Sequence, residues 1–118
     1  MTETRPWGSY TILNTHINQD VNYKIKRIEV LPLQRLSLQS HNHRSEHWTI
    51  VSGEGLVQLD NTQIKVTKES YINIKKGQLH RIQNTSSTQI LIFIEIQIGE
   101  YLEEDDIIRY EDDYNRIN

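Results

Sequence analysis

Apolar and polar positions alternate along most of this chain, and a period of two predicts β-strands. The longest run is Gln89 to Ile98, where Ile90, Ile92, Ile94, Ile96 and Ile98 share one face. Its other face opens with Leu91 and Phe93 and closes with Glu95 and Gln97, as expected where a barrel wall passes from packed core to wet lumen. Arg35 to His43 alternates as cleanly, with Arg35, Ser37, Gln39, His41 and His43 on one face and Leu36 and Leu38 on the other. Tyr23 to Leu31 is a further strand, ended by Pro32, whose nitrogen cannot donate to a ladder. Shorter strands are predicted at Trp7 to Leu13, Glu46 to Ser52, Leu56 to Leu59, Gln63 to Val66, Ser70 to Ile74 and Leu79 to Asn84. Gly53-Glu54-Gly55, Asp60-Asn61-Thr62 and Lys75-Lys76-Gly77-Gln78 supply turns between them, and residues 14 to 22 read as a polar loop. Only Glu103 to Tyr110, opening on an acidic turn, reads as helix. About nine short, evenly spaced strands predict an all-β fold, a barrel or double-sheet jelly roll.

Composition narrows the picture. A chain of 118 residues has room for one core, so a single domain over residues 1–118 is expected. There are no cysteines, which excludes a disulfide framework and a thiolate metal site and suits the cytosol. The N-terminus has no apolar leader segment and no stretch approaches the length of a membrane span, so a cytoplasmic protein without a membrane partner is expected. Net charge is −3, with the acidic excess between Glu100 and Asp113. No basic stripe suggests nucleic acid as a partner.

The candidate chemistry gathers between residues 39 and 53. His41, His43 and His47 fall within seven positions with Glu46 among them, Gln39 shares the face of His41 and His43, and His80 follows a glycine turn. Imidazole, carboxylate and amide oxygen are ligands for a borderline divalent ion such as zinc, manganese, cobalt or iron.

Two motifs carry a resemblance. The cupin superfamily pairs glycine-x5-His-x-His-x3–4-Glu-x6-Gly with Pro-x-Gly-x2-His-x3-Asn. The second resembles Lys75-Lys76-Gly77-Gln78-Leu79-His80-Arg81-Ile82-Gln83-Asn84, with lysine in place of proline. The first fits in two registers. With His41 and His43 as the paired histidines, Glu46 comes too early and His47 must serve as a ligand. With Gln39 and His41 in those places, the spacings to Glu46 and Gly53 are kept and Leu33 falls at the first glycine; this register is preferred. From Arg5-Pro6-Trp7-Gly8-Ser9-Tyr10 through His43-Arg44-Ser45-Glu46-His47-Trp48 to Tyr101-Leu102-Glu103-Glu104-Asp105-Asp106-Ile107-Ile108-Arg109, the chain resembles the C-terminal cupin domain of type II mannose-6-phosphate isomerases. In many bacteria that domain is fused behind a mannose-1-phosphate guanylyltransferase.

The resemblance implies interconversion of mannose 6-phosphate and fructose 6-phosphate through an enediol, in the service of GDP-mannose and polysaccharide synthesis. It implies a divalent metal, zinc first and manganese, cobalt or iron as alternatives, held by Gln39, His41, Glu46 and His80. The catalytic candidates are His43, ranked first as base, Glu95, ranked second, and Arg109. Arg35, Arg44 and Lys24 are the candidates for gripping the phosphorylated hexose. His47, His16 and Arg81 are expected to lie outside the site. A homodimer through the N-terminal strand or the Tyr23–Leu31 strand is expected, with a separate guanylyltransferase as a further partner, since no phosphate-cradling glycine loop accompanies this stretch. Two rival readings are a non-catalytic sugar-binding or regulatory cupin, and a different cupin enzyme such as an iron-dependent dioxygenase.

Overall fold

Where β-strands line up side by side, an inward face that changes from apolar to charged at the same level on each strand makes a barrel with one dry end and one polar end. Three neighbouring strands of this protein do so. The computed structural model describes residues 1–116. Among them the strands are β1 (Thr2–Arg5), β2 (Gly8–His16), β3 (Tyr23–Val30), β4 (Leu38–Ser40), β5 (Arg44–Ser52), β6 (Gly55–Leu59), β7 (Thr62–Val66), β8 (Tyr71–Ile74), β9 (His80–Asn84), β10 (Leu91–Gly99) and β11 (Ile108–Glu111). They form two antiparallel sheets, ordered β1-β2-β3-β10-β5-β8 and β11-β4-β9-β6-β7. This is the jelly roll expected from the strand pattern. Among the described residues no helix is long and apolar enough to cross a membrane.

The ladders of β10 fix the level of the change. Phe93 lies opposite Ile28 and Ile50, Glu95 opposite Lys26 and Trp48, and Gln97 opposite Lys24 and Glu46. Leu91, Phe93, Ile28, Val30, Ile50 and Trp48 join the buried apolar cluster. One step along the same strands, Glu95, Gln97, Lys24, Lys26, Glu46 and Arg44 are buried as well. Polar and charged groups this deep are retained only where they are paired or hydrogen-bonded, and here they stand side by side on neighbouring strands of one sheet, with Arg44 paired to Glu46, Gln97 donating to Glu95 and Lys26 paired to Glu104.

Two expectations are corrected. Glu103 to Tyr110 is not a helix; Ile108–Glu111 is strand β11, with Arg109 opposite Gln39 of β4. The β-branched pair Ile107 and Ile108 favours extended backbone, and the β4 edge offers it a ladder. The acidic turn before it has another partner than a helix dipole: the Asp106 carboxylate accepts the backbone N–H groups of Asn42 at 2.9 Å and His43 at 3.0 Å. Those same bonds break the alternation of Arg35 to His43. Regular strand ends at Ser40, the chain turns through Asn42 and His43, and His43 comes out exposed while His41 is buried. At the other end β1, which the pattern did not predict, pairs with β2 from Thr2↔Thr11 to Arg5↔Gly8.

Both departures from the cupin motif sit in turns with a local explanation. Leu33 stands where the first glycine would and has φ 62°, the left-handed region that glycine enters most easily. Lys75 replaces proline, and its backbone N–H donates to Gln78 Oε1 at 3.0 Å, a bond proline cannot make.

Candidate metal centre

β5 carries Glu46 inward from the larger sheet, while β9 opens on His80 directly opposite Gln39 of β4 in the smaller one. His41 follows β4 by one residue. The two sheets thus bring His41, Glu46 and His80 together, all buried, with one ligand atom from each within 4.8 Å of the others. His41 Nε2 is 3.1 Å from Glu46 Oε2, and His80 Nε2 is 3.8 Å from Glu46 Oε1.

The histidine tautomers follow from their second nitrogens. His41 Nδ1 lies 2.6 Å from the Asp106 carbonyl oxygen and His80 Nδ1 lies 2.9 Å from that of Gln78. A carbonyl only accepts, so each Nδ1 carries the hydrogen and each Nε2 keeps its lone pair toward Glu46. Burial, the largest effect, lowers the His41 pKa and favours the neutral imidazole a metal needs. Burial would raise the Glu46 carboxyl, but the Arg44 guanidinium and the two histidines outweigh it and hold the group far below the carboxylate range. Two imidazole lone pairs and an ionised carboxylate, with second nitrogens tied to backbone carbonyls, fit a borderline divalent ion. Gln39 lines the same cavity, and its amide nitrogen donates to the carbonyl and hydroxyl of Ser37 at 3.3 Å each. Its oxygen is therefore the end left for a ligand role.

Asp106 is a long-range support of this centre. Its carbonyl orients His41 and its carboxylate holds the turn that follows. Replacing Asp106 by alanine keeps the carbonyl that orients His41 and removes only the acceptor for the Asn42 and His43 N–H groups, so the loosened turn is expected to weaken zinc binding by at most about 10-fold, the low end for outer supports; competition against a chelator measures it.

Glu95 shares the cavity and is the second buried carboxyl. Trp48 Nε1 donates to both Glu46 Oε1 and Glu95 Oε1 at 3.0 Å, and Gln97 Nε2 donates to Glu95 Oε2 at 2.6 Å. Burial first and the Glu46 charge second push the Glu95 carboxyl up to about 8. Arg44 does not stand beside the site but inside it, its Nε and Nη2 each 2.8 Å from Glu46 Oε2.

The structure disperses other candidates. His43 is half exposed and turned away, its Nδ1 3.1 Å from Glu100 Oε1, and it does not line the cavity. Lys24 is buried but donates to the Leu102 carbonyl at 2.7 Å. Arg35 forks onto Asp113, outside the cavity. Arg109 does line it, and its Nε is buried with no partner among the described residues. Arg81 is buried rather than solvated. His47 lies 2.8 Å from Asn73 and His16 2.9 Å from Asn18, away from the centre.

Several lining residues escaped the sequence reading: Arg5, Tyr10, Lys26, Glu104 and Arg116. Lys26 pairs with Glu104 at 2.7 Å and sits 4.1 Å from the Tyr10 ring centroid. The signal for it was present, because β3 runs Val30, Ile28, Lys26, Lys24 along its inward face, the same apolar-to-polar change seen on β10. Arg5 and Arg116 had no local signal.

Comparison with known proteins now decides the family. Residues 1–112 match the model described as mannose-6-phosphate isomerase C-terminal. The chain belongs to this family. Among its relatives is an alginate biosynthesis protein, AlgA, of Pseudomonas syringae pv. tomato, 42% identical over 97% of this chain and 23% of that protein. Another is the mannose-1-phosphate guanylyltransferase ManC of Salmonella typhimurium, 41% identical over 96% of this chain and 22% of that protein. The chain therefore spans under a quarter of the length of either. Among solved structures, the cupin domain of Schizosaccharomyces pombe Cnp3 superposes with a TM-score of 0.68 at 12% identity, covering 78% of this chain and 64% of that one. At that identity the likeness establishes the cupin fold and nothing finer.

Proposed function

We propose that this mannose-6-phosphate isomerase C-terminal domain is itself a metal-dependent isomerase that interconverts mannose 6-phosphate and fructose 6-phosphate. One observation carries the reading: the His41, Glu46 and His80 ligand atoms and the Glu95 carboxyl share one cavity, whose half-exposed lining includes Arg5, Arg109 and Arg116. Gln39, His41, Glu46 and His80 would hold the ion, with zinc the first expectation. When bound there, the ion supplies a Lewis acid beside the sugar carbonyl.

The chain's own residues do the rest. Glu95 takes the proton from the hydroxyl-bearing carbon beside the carbonyl and returns it to the carbonyl carbon, while the hydroxyl proton passes from one sugar oxygen to the other, so the base is assigned to Glu95 and not to the outward-facing His43. Trp48 and Gln97 fix its two oxygens, which keeps the carboxyl aimed along one line. Arg109 leads in gripping the phosphate, since a guanidinium fork matches phosphate oxygens and its Nε has no partner among the described residues. Arg44 keeps Glu46 ionised. Supply of mannose phosphate to a guanylyltransferase, and through it to polysaccharide, is the role in keeping with relatives named as an alginate biosynthesis protein and a mannose-1-phosphate guanylyltransferase.

The test is metal content together with a coupled isomerase assay on the purified chain. Metal with turnover supports the proposal; metal without turnover favours a sugar-binding cupin.

Assembly belongs to the same proposal. The outer face of the larger sheet exposes Ile96 and Ile98 of β10, with Ile25 and Tyr23 of β3 alongside in register. A second copy covering that face would remove them from water. Light scattering at micromolar concentration is expected to give twice the chain mass, and a monomer would contradict this.

A further inference from the structure

Glu111, Asp112 and Asp113 form a run of like charge, and such runs ordinarily remain solvated. In this protein each carboxylate meets a different arginine. Glu111 Oε1 is 3.2 Å from Arg81 Nη1, and Arg81 also donates its Nε–H to the Leu36 carbonyl at 3.1 Å. Asp112 accepts the Arg116 backbone N–H at 2.7 Å and its side chain at 2.8 and 3.1 Å, folding residues 112–116 into a turn. Asp113 accepts Arg35 Nε and Nη2 at 2.7 and 2.8 Å, a two-pronged fork. Between them Tyr114 packs against the apolar core and donates its hydroxyl to Gln34. The segment after β11 is thus fastened to β9 through Arg81 and to the turn before β4 through Gln34 and Arg35.

The β11–β4 ladder is itself irregular, shifting register between Arg109 and Glu111, so strand pairing alone holds this segment weakly. Yet the same segment delivers Arg109 and Arg116 to the cavity lining. Two arginines outside the cavity therefore fix the chain that carries two arginines inside it.

We infer that Arg35 and Arg81, with Tyr114, are positioning residues: they clasp residues 108–116 so that Arg109 and Arg116 stand at the cavity, and through them set the affinity for a phosphorylated substrate they do not touch. The substrate class rests on the isomerase reading above. The clasp acts on ground-state anion binding, so its loss raises KM and leaves the proton transfer at Glu95 alone.

The experiment compares the wild-type chain with Arg35→Ala and with the exchanged pair Arg35→Asp/Asp113→Arg. Each is examined for zinc stoichiometry, affinity for inorganic phosphate, amide hydrogen exchange over residues 108–116, and KM and kcat with mannose 6-phosphate. Arg35→Ala is expected to keep one zinc per chain and kcat within about twofold, while phosphate affinity falls and KM rises about fivefold, the upper range for one exposed pair. Exchange over 108–116 quickens, and the exchanged pair restores both affinity and protection. If 108–116 loosens but phosphate affinity is unmoved, or if the exchanged pair restores neither, the inference is overturned; a wild type that binds no phosphate overturns it equally. A wild type that binds phosphate with this same pattern, yet isomerises nothing, keeps the clasp and removes the isomerase proposal.

Discussion

Replacing His80 by alanine is expected to remove metal binding and, with it, the proposed isomerisation. His80 Nε2 is one of the nitrogen lone pairs facing Glu46, and its Nδ1–H is already fixed on the Gln78 carbonyl. Neither of the other nearby histidines can take its place: His43 and His47 are bonded elsewhere and lie outside the cavity. The remaining His41 and Glu46 are a nitrogen and a carboxylate already engaged by Arg44, so the guanidinium, not an ion, neutralises the site. Loss of a ligand exceeds the 10- to 100-fold penalty typical of outer supports, and roughly 100-fold or more in zinc affinity is expected. Metal stoichiometry after dialysis against a chelator, read beside the isomerase rate, checks this. A variant that keeps its metal and its rate would exclude His80 from the ligand set.

Glu95→Gln separates the metal from the proton. The amide fills the same volume, so the apolar end of the barrel is undisturbed. It cannot accept from both Trp48 Nε1 and Gln97 Nε2 as the carboxylate does, but with its oxygen toward Gln97 the Trp48 N–H still donates to Glu46 Oε1, so the cost stays below that of a buried donor left unpaired, about 1–3 kcal/mol. Removing a buried carboxyl beside Glu46 offsets part of that cost. None of the nitrogen or carboxylate ligands is altered, so metal content stays near one per chain. The rate is expected to fall by about 100- to 10,000-fold, the range that a positioned acid–base group supplies. His43→Gln, by contrast, is expected to keep both metal and rate, since the His43 ring faces Glu100 on the exterior. If the histidine variant is the slow one and the glutamate variant is not, the base has been misassigned.

Much of this architecture is legible in the chain because its signals are local. The period of two on β10 and its passage from Phe93 to Glu95 need no knowledge of neighbours, and they mark both the core and the lumen. The same reading applied to β3 would have found Lys26. Spacing among Gln39, His41 and Glu46 is nearly as local, whereas His80 stands out only by its glycine-turn motif and reaches them through the pairing of β9 with β4. What was not legible depends on contacts made across the fold. Asp106, some 65 positions from His41, ends the β4 strand, turns His43 outward and replaces the expected helix with a turn. Arg35 alternates with the ligand face on paper, but Asp113 claims it. Arg5 and Arg116 reach the cavity only because β1 pairs with β2 and the C-terminal turn is fastened down, and neither event leaves a mark near those residues.

The central claim is that this cavity isomerises a hexose phosphate with the help of a bound divalent ion. The most direct measurement is conversion of mannose 6-phosphate to fructose 6-phosphate by the purified chain, stripped of metal and then reconstituted with zinc, manganese, cobalt or iron(II). The account predicts no conversion by the stripped protein and recovery that saturates at one ion per chain. Undiminished conversion by the stripped protein, or an ion bound at that stoichiometry with no conversion under any of the four metals, would contradict it.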